Sequence, residues 1–155
     1  MTAEGTDDVD HPGGGASAPA DRLREVAEAQ PAFAVHLGLR LTSWSPDRVE
    51  GELDVTEALV NRNGVLHGGA IMGFADNLGG TAASLNLPEG ARTTTVESKT
   101  NFFRPLPLGT TARGTCVPLH RGRTTTVWQT TVTTADGALA ALVTQTQLVL
   151  RPRSS

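Results

Sequence analysis

The chain has 155 residues, of which 38% are hydrophobic and 19% charged, and its formal net charge is −3. This length predicts one domain with a hydrophobic core of its own. The charges form no basic cluster, which argues against a nucleic-acid partner. The single Cys116 excludes an internal disulfide, and no apolar run reaches the roughly 18 residues of a membrane span.

The N-terminal 20 residues are rich in Gly, Ala, Pro and Asp and contain almost nothing apolar to bury. We expect residues 1–20 to be a disordered tail and residues 21–151 to form the single domain. Asp21 is a suitable N-cap for a short helix that Pro31 ends. The tail lacks the charged-then-apolar pattern of a secretory leader, so we expect a cytoplasmic protein.

After this helix the hydrophobic period changes to that of strands. Alternating apolar residues, dense threonine and turn signatures predict six strands at 37–45, 48–55, 93–103, 110–119, 123–134 and 138–150. Within the second strand Val49, Gly51 and Leu53 point one way while Glu50 and Glu52 point the other. This alternation indicates a sheet with one solvated face.

Between the second and third strands, a helix pattern follows the loop at 61–69 and runs to about Leu87. The helix is apolar on most sides, so most of its sides must be covered. We therefore predict an α+β fold in which one curved antiparallel sheet wraps around one long central helix.

One acidic residue, Asp76, lies inside this apolar, glycine-rich helix, nine residues after His67. A carboxylate there costs several kcal/mol of desolvation unless something compensates for it. The turn Asn63-Gly64 leads into His67-Gly68-Gly69, which predicts a helix start with free backbone N–H groups. Such a start, followed by an acid, is suited to polarising a carbonyl group and attacking it.

The segment from Asn61 to Asp76 reads N-x-x-G-x-L-H-G-G, with an acid seven residues after the second glycine. It resembles the hotdog-fold acyl-CoA thioesterases, in particular the phenylacetate-pathway (PaaI-type) group. The resemblance implies a hotdog fold and hydrolysis of an acyl- or aryl-CoA, with coenzyme A as part of the substrate and no separate cofactor. It also implies a homodimer as the minimal unit, and we expect a homotetramer whose arrangement is left open.

The same resemblance assigns roles to residues of the motif. Asn61 matches the residue that orients substrate or water, and His67 matches the histidine near the thioester carbonyl. Gly68 matches the glycine whose N–H binds the carbonyl oxygen. Asp76 matches the acid that attacks the thioester or activates water, and in the family it comes from the partner subunit. Thr95 falls where some members carry a serine that helps to hold the water.

Further candidates concern the coenzyme. Gly69, like Gly68, has no Cβ and lets the acyl group approach the backbone. Arg104, Arg121 and Arg123 lie near predicted strand ends, where they are candidates for binding the CoA phosphates. We find no metal-ligand cluster, because the four histidines are scattered along the chain.

Each assignment has a structural alternative. The acid could pair with an arginine, the histidine and asparagine could serve only the turn, the glycines could serve only close packing, and the arginines could be solvated surface charges. Two other functions also stay open at this point: a hotdog-fold enoyl-CoA hydratase or dehydratase, and a non-catalytic acyl-CoA-binding protein.

Overall fold

The computed structural model describes residues 17–151. Its helices are α1, α2 and α3, with a short 3-10 helix before α3. Their bounds are Ser17–Glu28, Ala32–Leu37, Gly68–Leu85 and, for the 3-10 helix, Glu57–Leu59. The strands β1 to β6 span Arg40–Ser45, Arg48–Asp54, Arg92–Phe102, Thr111–Arg121, Thr125–Thr133 and Leu139–Leu150.

The start of α1 differs from the prediction. Helix α1 begins at Ser17 rather than after Asp21, so the last four residues of the predicted 1–20 tail are helical. Pro19 fits there because N–H groups in the first turn of a helix have no intrahelical partner to lose. The rest of the predicted tail, residues 1–16, lies outside the described part of the chain.

The six strands form one antiparallel sheet in the order β1-β2-β4-β5-β6-β3. Helix α3 contacts strands across the whole sheet and fills its concave side. The predicted α+β architecture, with one long helix wrapped by a curved sheet, is therefore confirmed. The predicted alternation in β2 is confirmed too, since Val49, Gly51 and Leu53 are buried while Glu50 and Glu52 are only half-buried.

Helix and sheet approach each other closely where Leu78 and Phe74 face the strands. Both side chains are fully buried. A Cβ on Gly114 of β4 would lie 2.5 Å from Leu78 Cδ1 and 2.7 Å from Phe74 Cζ. Any larger residue at this position would force the sheet away from the helix.

Strand β3 lies at one margin of the sheet and pairs only with β6 within the described chain. It is 11 residues long, and most of its side chains are exposed, including Val96 and Phe102. Among residues 17–151, no helix is both long and apolar enough to cross a membrane.

Candidate active site

Helix α3 begins with a cap made by His67. Its backbone is extended, with φ −63° and ψ 137°, and its Nδ1 accepts a hydrogen bond of 2.9 Å from the N–H of Gly69. Because Nδ1 is an acceptor, the proton of the neutral ring is placed on Nε2 by the hydrogen-bond pattern. His67 therefore holds the helix start in place, and its ring can donate a hydrogen bond from Nε2.

The N–H of Gly68 is left free by this cap. The N–H groups of Ala70 and Ile71 bond to the carbonyl of His67 at 2.9 and 3.1 Å, and that of Gly69 bonds to the ring. Within residues 17–151 the Gly68 N–H has no acceptor. This N–H is therefore free to donate a hydrogen bond to an oxygen atom of a bound molecule.

A cavity of about 330 Å³ lies beside Gly68. Its walls are mostly apolar and include Ile71, Phe102 and Leu106, while Asn61 and Arg104 also line it. The ring of Phe102 lies over the glycine, because a Cβ on Gly68 would be 3.2 Å from Phe102 Cζ.

Asn61 has a structural role in the loop before α3. Its Oδ1 accepts a 2.9 Å bond from the N–H of Asn63, and its own N–H bonds to the carbonyl of Val65. The predicted turn function is thus present, and the side chain also lines the cavity beside Gly68. Its proposed role towards substrate or water stays a prediction.

Asp76 lies in the middle of α3 and is exposed to solvent in the single chain. Its Oδ1 accepts hydrogen bonds from Thr95 Oγ1 at 2.9 Å and from Gln145 Nε2 at 2.5 Å. In the described residues no arginine or lysine pairs with it, and its Oδ2 accepts no hydrogen bond. The alternative of an acid neutralised by an arginine is therefore not what the structure contains.

A second cavity, of about 260 Å³, opens beside Asp76. It is lined by residues of α3 and β3 and by the link between α1 and α2, including Gln30, Asn77 and Thr95. Asn77 donates a 2.6 Å hydrogen bond to Gln30, which fastens the link to the helix and closes one wall.

Asp76 and Gly68 cannot meet within one chain. They are eight residues apart on the same helix, which separates them by about 12 Å along its axis at 1.5 Å per residue. They also line different cavities. A carbonyl bound to the Gly68 N–H is thus out of reach of the carboxylate of the same protomer.

Three polar residues of this site were not predicted from the sequence: Gln145 and Gln147 on β6, and Thr93 on β3. The two glutamines are each 1% exposed. Gln147 Nε2 donates to Thr95 Oγ1 at 2.8 Å and its Oε1 accepts from Thr93 at 3.0 Å. The signal was present, because the glutamines continue the buried face of β6 on which Val143 lies, and a polar residue on such a face needs a partner.

The three candidate phosphate-binding arginines are not brought together. Arg104 lines the cavity beside Gly68, whereas Arg121 pairs with Asp47 at 2.6 Å and lies over the ring of Trp128. Arg123 is exposed. Binding of CoA phosphates by these side chains stays a prediction. Residues 17–151 also contain no group of three or more His, Cys, Asp or Glu side chains arranged to hold a metal ion.

Comparison with known proteins gives a consistent result. Residues 63–141 match the family model of the thioesterase superfamily. A putative esterase of Haemophilus influenzae is 33% identical over 108 residues, which cover 69% of this chain and 77% of that protein. The proofreading thioesterase EntH of Klebsiella pneumoniae is 33% identical over 106 residues, covering 68% of this chain and 77% of that protein.

Among solved structures, a point mutant of the phenylacetic acid degradation protein PaaI from Thermus thermophilus superposes with a TM-score of 0.71. It is 25% identical, and the match covers 79% of this chain and 100% of that one. The described helix-and-sheet architecture is thus a hotdog fold.

Proposed function

Because this chain belongs to the thioesterase superfamily and is a thioester hydrolase, we propose that its substrate is an acyl- or aryl-coenzyme A. The products are the free carboxylic acid and coenzyme A. The observation that carries the proposal is a free amide at a helix start together with an anchored, unneutralised carboxylate on the same helix. The cavity beside Gly68 is mostly apolar, and the exposed Arg104 is among its lining residues. It therefore suits an acyl-coenzyme A, in which an apolar group is linked to phosphates that an arginine can bind.

The Gly68 N–H binds the carbonyl oxygen of the thioester. Negative charge develops on this oxygen when the carbonyl carbon is attacked, and both the free amide and the helix dipole stabilise it. The missing Cβ lets the acyl carbon come close to the backbone. His67 supports this arrangement, because its ring fixes the first turn of the helix through Gly69.

Asp76 acts at the carbonyl carbon as a base or as a nucleophile. As a base, its Oδ2 takes a proton from water while the water oxygen bonds to the carbon. The carbon–sulfur bond then breaks, and the thiolate of coenzyme A takes the proton that Asp76 had accepted. Thr95 donates its one proton to Asp76 and accepts from Gln145 and Gln147, so its hydroxyl serves the carboxylate rather than a water in this arrangement.

The active site is shared by two copies of the chain. The separation of about 12 Å along the helix requires that the Gly68 N–H of one protomer face the Asp76 of the other. The exposed margin of the sheet at β3, which also carries Thr95, is a surface that a second copy can use. A homodimer is thus the minimal active unit, and two dimers give a homotetramer.

A thiol-release assay over short-, medium- and long-chain acyl-CoAs and aryl-CoAs tests the activity and finds the preferred acyl group. Asp76→Asn should lower kcat by about 10²- to 10⁴-fold while the thermal stability and the oligomeric state are kept. Asp136→Asn, the same chemical change in the turn between β5 and β6, is the matched control and should leave turnover unchanged. Normal hydrolysis by Asp76→Asn across the panel would refute the role of the acid.

Mixed dimers test the sharing of the site. Gly68→Pro removes the free N–H at the first helical position, where proline is well tolerated, and the extended backbone of His67 suits a following proline. Each variant alone should be nearly inactive. A purified mixed dimer of Asp76→Asn with Gly68→Pro should regain about half of the wild-type activity, since one of its two sites is intact. An inactive mixed dimer would place both groups in one protomer.

A further inference from the structure

Gln145 lies where the wrapped sheet meets the middle of α3. It is opposite Trp128 in the pairing of β5 with β6, and both side chains are buried on the helix-facing side of the sheet. A primary amide buried in such surroundings costs several kcal/mol unless its polar atoms are bonded. Gln145 Nε2 is bonded to Asp76 Oδ1 at 2.5 Å and to Thr95 Oγ1 at 3.0 Å.

The opposite end of this amide is unusual, since Gln145 Oε1 is buried and has no hydrogen-bond partner among the described residues. The orientation of the amide is nevertheless determined. Turning it over would place Oε1 against the carboxylate of Asp76 and remove the donor from both of its acceptors. The amide is thus held by the hydrogen bonds that its nitrogen donates at the acid.

Gly79 of α3 makes room for the Gln145 amide. A Cβ on Gly79 would lie 2.1 Å from Gln145 Oε1 and 2.9 Å from its Cδ. The next residue, Gly80, has open space where its Cβ would be. Glycine at position 79 weakens the helix, and the amide of Gln145 is what occupies the space that this glycine leaves.

The two carboxylate oxygens of Asp76 therefore differ in their hydrogen bonds. Oδ1 is fixed by Gln145 and Thr95, and the hydroxyl of Thr95 is itself oriented by Gln147. Oδ2 has no partner in the described chain. Fixing one oxygen of a carboxylate sets the direction of the other, and a small misdirection at a reacting centre costs a large factor in rate.

We propose that Gln145, admitted by Gly79, is a positioning residue that aims the free oxygen of Asp76 at the thioester. This inference rests on the proposed role of Asp76 as the attacking acid. Gln145 binds neither substrate nor water. It acts through Asp76, so its loss affects the chemical step and not substrate binding.

Gln145→Met tests the proposal, because methionine keeps the length and most of the buried volume but donates no hydrogen bond. We expect kcat to fall by about ten- to hundredfold, with KM within about twofold of wild type. Gln129→Met is the matched control. Gln129 lies on β5 next to Trp128 and faces the opposite side of the sheet, so this substitution should leave kcat unchanged.

A double variant with Asp76 distinguishes a positioning role of Gln145 from a purely structural role. In the Asp76→Asn background, Gln145→Met should cause no further loss of kcat, since there is no attacking carboxylate left to aim. An equal further loss, or a normal kcat in Gln145→Met alone, would overturn the proposal. A normal kcat in Asp76→Asn would instead refute the proposed function, so the two failures are distinguishable.

Gly79→Ala is the second variant, which covers the case in which Gln145→Met does not fold. It keeps every hydrogen-bonding group and displaces the amide only by the added Cβ. The expected result is again a lower kcat with an unchanged KM, and no further loss of kcat when Gly79→Ala is combined with Asp76→Asn. Wild-type kcat in Gly79→Ala would count against the proposal.

Discussion

Replacing each of the two adjacent glycines of α3 by alanine should change stability in opposite directions. Alanine in a helix interior is more favourable than glycine by about 0.5–1 kcal/mol. Gly80 has nothing within 4 Å of its would-be Cβ, so Gly80→Ala should realise this gain. For a chain of this size the melting temperature should rise by about 1–4 °C.

Gly79→Ala makes the same helix gain but meets Gln145 Oε1 at 2.1 Å. Overpacking of a buried position costs about 1–3 kcal/mol, and displacement of the amide weakens a bond to a charged group that contributes about 1.5–3 kcal/mol. These two costs overlap. The free energy of unfolding of Gly79→Ala should therefore fall by about 1–3 kcal/mol, and its melting temperature by about 2–12 °C.

Thermal and urea unfolding of both variants at one protein concentration and one pH provide the measurement. Combining Gly79→Ala with Gln145→Ala tests the cause directly, because removal of the amide frees the space beside position 79. In that background Gly79→Ala should become stabilising. If Gly79→Ala is as stable as Gly80→Ala in the otherwise unchanged protein, then close approach of Gln145 is not the reason for glycine at position 79.

Two further expectations concern titrating groups away from the site. Burial raises the pKa of the Cys116 thiol to about 11, so the native protein should resist alkylation at pH 8 and react only on unfolding; rapid stoichiometric labelling seen by mass spectrometry would contradict this. Hydrogen bonds from Arg40 and Thr111 lower the pKa of Asp54, so its contribution to stability is present above its unfolded pKa of about 3.9 and is lost as the pH falls through the lower folded value. Asp54→Asn should therefore destabilise by less than about 1 kcal/mol at pH 7, because the pair is half exposed, and the difference from wild type should disappear in acid; a difference that grew towards acid would refute the sign.

The sequence predicted the six strands and the long helix to within a few residues, since the alternation in β2 is typical of a strand and the apolar surface of α3 requires a covering sheet. The family resemblance also made Thr95 a candidate residue of the site, and its hydroxyl is bonded to the carboxylate of Asp76 in the structure. The catalytic roles of these residues remain predictions.

Other features depend on contacts that are distant in the sequence. Gln145 is 69 residues from Asp76, so although the alternation in β6 places it on the buried face, the sequence does not show which residue it meets there. The sequence allowed a structural role for His67 in the turn, but the bond from the Gly69 N–H to its ring could not be predicted because it depends on where the helix starts. The start of α1 was placed too late because proline in a first turn still permits a helix.

In the proposed shared site, the placement of Gly68 and Asp76 on one helix has a consequence for a pair of subunits. There α3 would supply the free amide of one catalytic centre and the acid of the other, and these two groups are only eight residues apart on the same helix. Substrate binding at one centre should then affect binding and turnover at the other. This coupling would be visible as a departure from a simple hyperbola when initial rate is plotted against substrate concentration.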